Sequence, residues 1–287
     1  MLYSSTTGFL SKKYGIETAV KMLVDAGYTG IDCSMFNLND LPFANGCKQT
    51  AEKLLAITEP RGVKFNQAHA PFTSNPEVYR GELVPLFPQV FEFASLLGIK
   101  NLIVHPFQDG RFYGREEEIF AKNVEFYKSL IPLAKKHGIR MAIENMWQRH
   151  PVTHRICDDI CADPEQLVRL YDTLNDPETF TICLDLGHVA LCGREPDEVI
   201  RYIGKKIGCL HVHDVDYIDD LHTLPGVSKI KWDKVCAALA DIGYEGDITL
   251  EADNFFLGFF PEMYPQAARY MRDTAKSLVD RIEELKA

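Results

Sequence analysis

The chain lacks most of the features that announce a function class on sight. Its 8 cysteines include no CxxC pair, and Cys183, Cys209 and Cys236 fall inside apolar periodic segments. That argues against a disulfide framework or a structural zinc site and for buried free thiols in a reducing compartment. No apolar run approaches the roughly 18 residues of a membrane span. Residues 1–10, MLYSSTTGFL, have no basic stretch leading into a long apolar one, so no signal peptide is expected. Basic charge is short too: 31 Lys and Arg against 41 Asp and Glu leave a net charge of −10. Such a balance gives no support to a polybasic surface for nucleic acid or anionic lipid. A Gly-rich dinucleotide fingerprint after the first strand candidate is missing, which removes the main support for a Rossmann fold. With no linker or low-complexity tract either, the expectation is one soluble, cytoplasmic domain over residues 1–287.

What the chain does have is a repeated phrase: a helix-like segment, a glycine, then a short β-rich run. It appears as DAGYTGIDCS, PRGVKFNQAH, LLGIKNLIVH, KHGIRMAIE and DIGYEGDITLE. Gly27, Gly62, Gly98, Gly138 and Gly243 stand where a helix end calls for a left-handed residue. Eight strands are expected near Leu2–Ser5, Gly30–Ser34, Lys64–His69, Asn101–His105, Arg140–Glu144, Thr181–Asp185, Cys209–His213 and Asp247–Glu251. Amphipathic segments with helical spacing separate them, among them Gly15–Ala26, Glu116–His137 and Asp163–Leu174. Strand–helix alternation implies parallel pairing with right-handed crossovers. Eight such units fit a closed (β/α)8 barrel of α/β class, a TIM barrel, better than an open sheet.

Six of the apolar runs stop at a residue able to hold a divalent metal: His69, His105, Glu144, Asp185, His211 and Glu251. In such a barrel the C-terminal strand ends open onto one face, so these residues converge although they lie far apart in the chain. Three carboxylates and one imidazole, Glu144, Asp185, His211 and Glu251, make a mostly oxygen site suited to Mn²⁺, Mg²⁺ or Co²⁺ and tolerable for Zn²⁺. Without a cation the anions would repel strongly, and neighbouring strand ends supply almost no Lys or Arg. The βα loops add Phe107, Phe112, Tyr113, Trp147, Phe255, Phe256, Phe259 and Phe260, which could ring the mouth and exclude water or simply cover the barrel end.

The motifs IENMW, CLDLGH, HVHD followed by DLHTLPG, and LEAD resemble the xylose-isomerase-like TIM-barrel superfamily. That group contains sugar isomerases, ketose 3-epimerases, inosose isomerases and the endonuclease IV type of abasic-site nuclease. The resemblance covers essentially the whole chain. It implies that Glu144, Asp185, His211 and Glu251 form a single-metal cage, Mn²⁺ in the first place, with Glu144 and Glu251 also the acid/base pair. A metal that polarises a carbonyl and its neighbouring hydroxyl stabilises an enediolate, so protons can leave and return at the adjacent carbon. His69, His105, His188, Asp220, His222 and Trp147 would then face a sugar or polyol substrate, and a homodimer or tetramer is implied by the same resemblance. His213 shares a strand face with His211 and reads equally as a supporting or substrate-contacting group or as core.

Two alternatives stay open. His69, His105, Glu144, Asp185, His188, His211, Asp220, His222 and Glu251 together match a three-zinc phosphodiesterase site. Against it, DLGH departs from the DTCH form of the nuclease branch, and the loops carry no run of Lys or Arg to track DNA. A barrel that binds carbohydrate without transforming it is the other alternative, which the presence of both acid/base glutamates disfavours. The ketose 3-epimerase pattern is also incomplete: Tyr217 stands where those enzymes carry an arginine and His150 where they carry a glutamate. A polyol, inosose or modified sugar is therefore kept beside the free ketohexoses.

Overall fold

The computed structural model describes residues 1–36 and 41–287. Its strands are β1 Tyr3–Ser5, β2 Gly30–Ser34, β3 Lys64–His69, β4 Asn101–Val104, β5 Arg140–Glu144, β6 Trp147–Arg149, β7 Ile156–Asp158, β8 Phe180–Asp185, β9 Ile207–His211 and β10 Ile248–Leu250. Strands β2, β3, β4, β5, β8 and β9 form one parallel sheet in that order, and β1 pairs in parallel with β10. Two isolated parallel bridges, Thr6–Asp32 and Val212–Leu250, join that pair to the sheet. Eight parallel strands thus close into a TIM barrel.

The helices are α1 Gly8–Tyr14, α2 Ile16–Ala26, α3 Cys47–Thr58, the single turn α4 Pro76–Val78, α5 Phe87–Leu96, α6 Glu116–His137, α7 Pro164–Leu174, α8 Leu186–Leu191, α9 Pro196–Ile203, α10 Trp232–Asp241 and α11 Tyr264–Lys286. Their ends follow from local chemistry. Gly27 closes α2 at φ 93°, its N–H reaching back to Leu23 and Val24, a conformation that a Cβ would oppose. Helix α6 begins with Glu116–Glu118 and ends with Lys135–His137, each sign facing the pole of the helix dipole that it favours. Asp163 caps α7 by accepting from Glu165 N, with Pro164 in the first turn. No helix among the described residues is long and apolar enough to cross a membrane.

The core has two layers. The larger lies between sheet and helices; a separate buried cluster of Ile103, Ala142, Cys183 and Cys209 lies within the barrel. Alternation along each strand then sets the site: two residues further on are His105, Glu144, Asp185 and His211, on the same inward face. Cys183, Cys209 and Cys236 are buried and free, as expected.

Several local expectations need correction. His105 and Glu251 stand one residue beyond β4 and β10, and His213 two beyond β9. The βα loop carrying Trp147 after β5 contains the antiparallel hairpin β6–β7; its three-residue strands are too short and too polar to show alternation. The short helices α1 and α8 lack a helical apolar stripe long enough to read from the sequence, and His188 lies in α8. Finally, of the loop aromatics, Phe107, Phe112 and Phe256 are buried in the core and do not face the mouth. Trp147 does line the cleft, joined by Phe72.

Candidate metal and catalytic site

At the C-terminal end of the barrel, donor atoms of Glu144, Asp185, His211 and Glu251 all lie within 4.8 Å of one another. Ligands bound to one ion at about 2.0–2.6 Å each have separations of this order, so the donor set fits a divalent cation. Neighbouring strands supply the pieces: Asp185 on β8 is in register with His211 on β9, and Glu144 ends β5 beside Cys183. His211 Nδ1 lies 2.7 Å from Glu144 Oε1 and 3.3 Å from Glu251 Oε2. Among the described residues, every ion-pair partner of Glu144, Asp185 and Glu251 is a histidine. No Lys or Arg among the described residues pairs with the cage, a charge balance that suits a cation.

Two histidines sit beside Glu144. His69 donates through Nδ1 to Ala70 O at 2.7 Å, which turns Nε2 inward. That Nε2 is 2.8 Å from His105 Nε2, and His105 Nε2 is 2.9 Å from Glu144 Oε2. On the other side of the cleft, His188 donates through Nδ1 to Asn145 O at 2.8 Å, leaving Nε2 as its open nitrogen. Donor atoms of His188, His213, Asp220 and His222 again fall within 4.8 Å of one another. His222 Nδ1 donates to Glu251 O at 2.8 Å and Nε2 to Asp220 Oδ2 at 3.1 Å.

The loop carrying Asp220 and His222 is fixed from behind by Asp214. Its carboxylate accepts from the backbone N–H groups of Val215, Gly226, Ser228 and Ile230 and from Trp232 Nε1. So anchored, the loop holds His222 at φ 41° and Tyr217 at φ 68°, left-handed positions that a side chain resists.

These surroundings split the two glutamates. Burial pushes Glu251 up to about 7 despite His211 and His222 nearby. Burial would raise Glu144 as well, but the imidazoles of His211 and His105 outweigh it and hold the carboxyl well below the usual range. Paired carboxyls driven apart in this way can serve as base and acid in one site. For His222 burial acts downward, yet the Asp220 hydrogen bond and the charge of Glu251 raise it to about 10. His105 goes the other way, lowered to about 4 by burial and by His69.

Glu144 and Glu251 floor a cleft of about 590 Å³ whose walls include His69, His105, Trp147, His188, Asp220 and His222. The whole set expected to face substrate is brought together there. Sequence reading missed other residues. Gln108 and Asp159 line the same cleft, joined at 2.7 Å, and burial raises Asp159 to about 6. Asn145, next to Glu144, bonds the backbone of Asp185 through both ends of its amide. Asp32 lies 3.5 Å behind His211 Nε2. A polar residue in an otherwise buried strand was the available signal for Asp32; Gln108 and Asp159 had none, because they come from irregular segments.

His213 has a definite place: Nε2 donates to both Asp185 oxygens at 3.0 and 3.1 Å, and its ring stacks on His222 at 4.0 Å. The ring occupies the room beside Gly187, where an added Cβ would stand 2.0 Å from His213 Cε1. This accounts for the glycine in DLGH. Alanine normally gains about 1 kcal/mol over glycine inside a helix, but the pinned ring cannot retreat. Gly187→Ala is therefore expected to destabilise by about 1–3 kcal/mol through overpacking, read as a lower denaturant midpoint. An unchanged or higher midpoint would contradict the packing described.

An α/β barrel with a carboxylate–histidine cluster at its C-terminal mouth is the class defined by this fold and site. The chain belongs to the xylose isomerase-like TIM barrel family, whose model matches residues 20–274. Among curated proteins it is similar to the uncharacterized protein MJ1311 of Methanocaldococcus jannaschii, 28% identical over 194 residues, 65% of this chain and 64% of that protein's length. A D-tagatose 3-epimerase-like protein superposes with a TM-score of 0.78 at 21% identity, covering 100% of both chains. The IOLI protein, solved with a bound zinc atom, superposes with a TM-score of 0.70 at 22% identity over 99% of each chain.

Proposed function

We propose that this chain is a divalent-metal-dependent isomerase or epimerase of a small sugar or polyol-derived ketone, working as one cytoplasmic barrel domain over residues 1–287. The observation that carries the reading is the convergence of donor atoms of Glu144, Asp185, His211 and Glu251 within 4.8 Å of one another, with Glu144 and Glu251 lining one cleft. A divalent cation held there, Mn²⁺ first and Mg²⁺, Co²⁺ or Zn²⁺ as alternatives, supplies the Lewis acid that acidifies a proton beside a carbonyl. Glu144 and Glu251 take that proton and return it. Two carboxylates acting on opposite faces of the planar intermediate invert the centre; transfer between adjacent carbons isomerises it. His188 offers its open Nε2 and Asp220 a carboxylate to substrate oxygens, Trp147 offers an apolar face, and His69, His105 and His222 face substrate from the same cleft wall. The likeness to proteins named as epimerases supports the class, and the zinc atom in the IOLI structure supports a metal.

The test is a proton-NMR screen of ketoses and inososes in deuterated water with Mn²⁺ added. Loss of one carbon-bound proton signal with retention of the carbon skeleton is the expected result. No exchange with any candidate in metal-replete protein would favour a binding barrel.

A second reading has its own observation: His69–His105–Glu144 and the His188–His213–Asp220–His222 group are also within ligating range. Together with the central cage they would hold three metals, as in a zinc phosphodiesterase. Elemental analysis decides between them, with one metal per chain supporting the isomerase and three, together with incision of abasic duplex DNA, supporting the nuclease.

A further inference from the structure

We infer that Asp32 is the positioning residue that keeps the His211 proton on Nε2 and so frees Nδ1 for the cage; this rests on the metal reading above. Asp32 is fully buried in β2, where a carboxylate is costly without compensation. Oδ2 accepts from Gln67 Nε2 at 2.9 Å and stands 3.5 Å from His211 Nε2. Among the described residues, His211 is the one side chain that forms an ion pair with it. The same Gln67 nitrogen faces Leu210 O at 3.5 Å, which ties the Asp32 side chain to the strand bearing His211.

The two nitrogens of His211 look in opposite directions. Nδ1 faces the carboxylates of Glu144 and Glu251, while Nε2 is buried with no hydrogen-bond partner among the described residues. A neutral imidazole carries a single proton, and ligation through Nδ1 requires that proton on Nε2. The acceptor nearest to hand is Asp32 Oδ2. A carboxylate behind a ligating imidazole fixes its tautomer and ring orientation and raises its basicity as a ligand.

A purely structural role is the competing account: Asp32 would only link β2 to β3 through Gln67. The two roles separate on metal affinity. Zn²⁺ is titrated against a competing chromophoric chelator for the unsubstituted protein, Asp32→Asn and Asp32→Leu, with thermal unfolding of each metal-free protein alongside. Loss of the acceptor in Asp32→Leu is expected to weaken Zn²⁺ binding about 100-fold, and loss of charge alone in Asp32→Asn about 10-fold, the range for groups supporting a metal ligand. In the zinc-loaded unsubstituted protein, ¹⁵N-histidine NMR is expected to place the His211 proton on Nε2. Affinities within twofold of one another, with only the unfolding temperature moved, would overturn the inference while leaving the cage intact. If Asp32→Leu does not fold, Asp32→Asn decides by the same criterion. No Zn²⁺ uptake by the unsubstituted protein would overturn the cage and the inference together.

Discussion

Glu144→Gln and Glu251→Gln are each expected to slow solvent-deuterium incorporation into substrate by about 10²–10⁴-fold, the usual worth of a positioned proton-transfer group. Gln keeps the shape and the ability to accept a hydrogen bond but cannot take a proton. Both side chains are also cage members, so exchange is measured at saturating metal to separate proton transfer from loss of the ion. The fold should survive. Glu144→Gln gives up ion pairs with His211 and His105, yet it also removes one anion from three that repel one another. Circular dichroism checks this point. Full exchange in either variant at saturating metal would refute the acid/base assignment.

Stripping the metal is the second large effect expected. Chelation should abolish exchange, and returning the cation at about a hundredfold excess over its Kd should stabilise the fold by roughly 2.7 kcal/mol, a rise of about 5 °C or more in Tm. The uptake should depend on pH in a definite sense. Without a cation, burial holds Glu251 at about 7, above the ordinary 4.5, so below pH 7 the ion must displace a proton to bind. The carboxylates Glu251 and Glu144 raise His211 well above its ordinary 6.5 against the effect of burial, which adds a second proton to displace. Affinity therefore falls as pH falls through 7, with protons released on binding. Calorimetry in two buffers of different ionisation heat measures that release, and a pH-independent affinity would contradict the site described.

How much of this was legible in the sequence follows the physics of each element. The barrel strands could be read because each is apolar, follows a glycine-ended helix and stops at a polar residue. Glu144, Asp185, His211 and Glu251 could be read because a charged side chain ending a buried strand needs a reason. His69 and His105 could be read as strand ends too, and Trp147, His188, Asp220 and His222 came through family motifs, whereas Asp159 and Gln108 did not: their nearness arises from the β6–β7 hairpin and the loop after β4, which no periodicity encodes. Asp32 was passed over because a single polar residue inside GIDCS looks like strand variation until His211 is seen behind it. The space beside Gly187 was equally invisible, since it is set by a ring 26 positions further along the chain.

The seam between β1 and β10 has a consequence for how the molecule assembles. These three-residue strands come from opposite ends of the chain and meet the rest of the sheet through single bridges. During synthesis the cylinder cannot be completed until β10 leaves the ribosome, and Glu251 follows it by one residue. Glu144, Asp185 and His211 are thus synthesised before the fourth donor. A cation bound by all four would clasp the last strand to the older part of the sheet, so loading and closure become a single event. Slow amide exchange at Thr6 and Val212 in the presence of metal would be its signature.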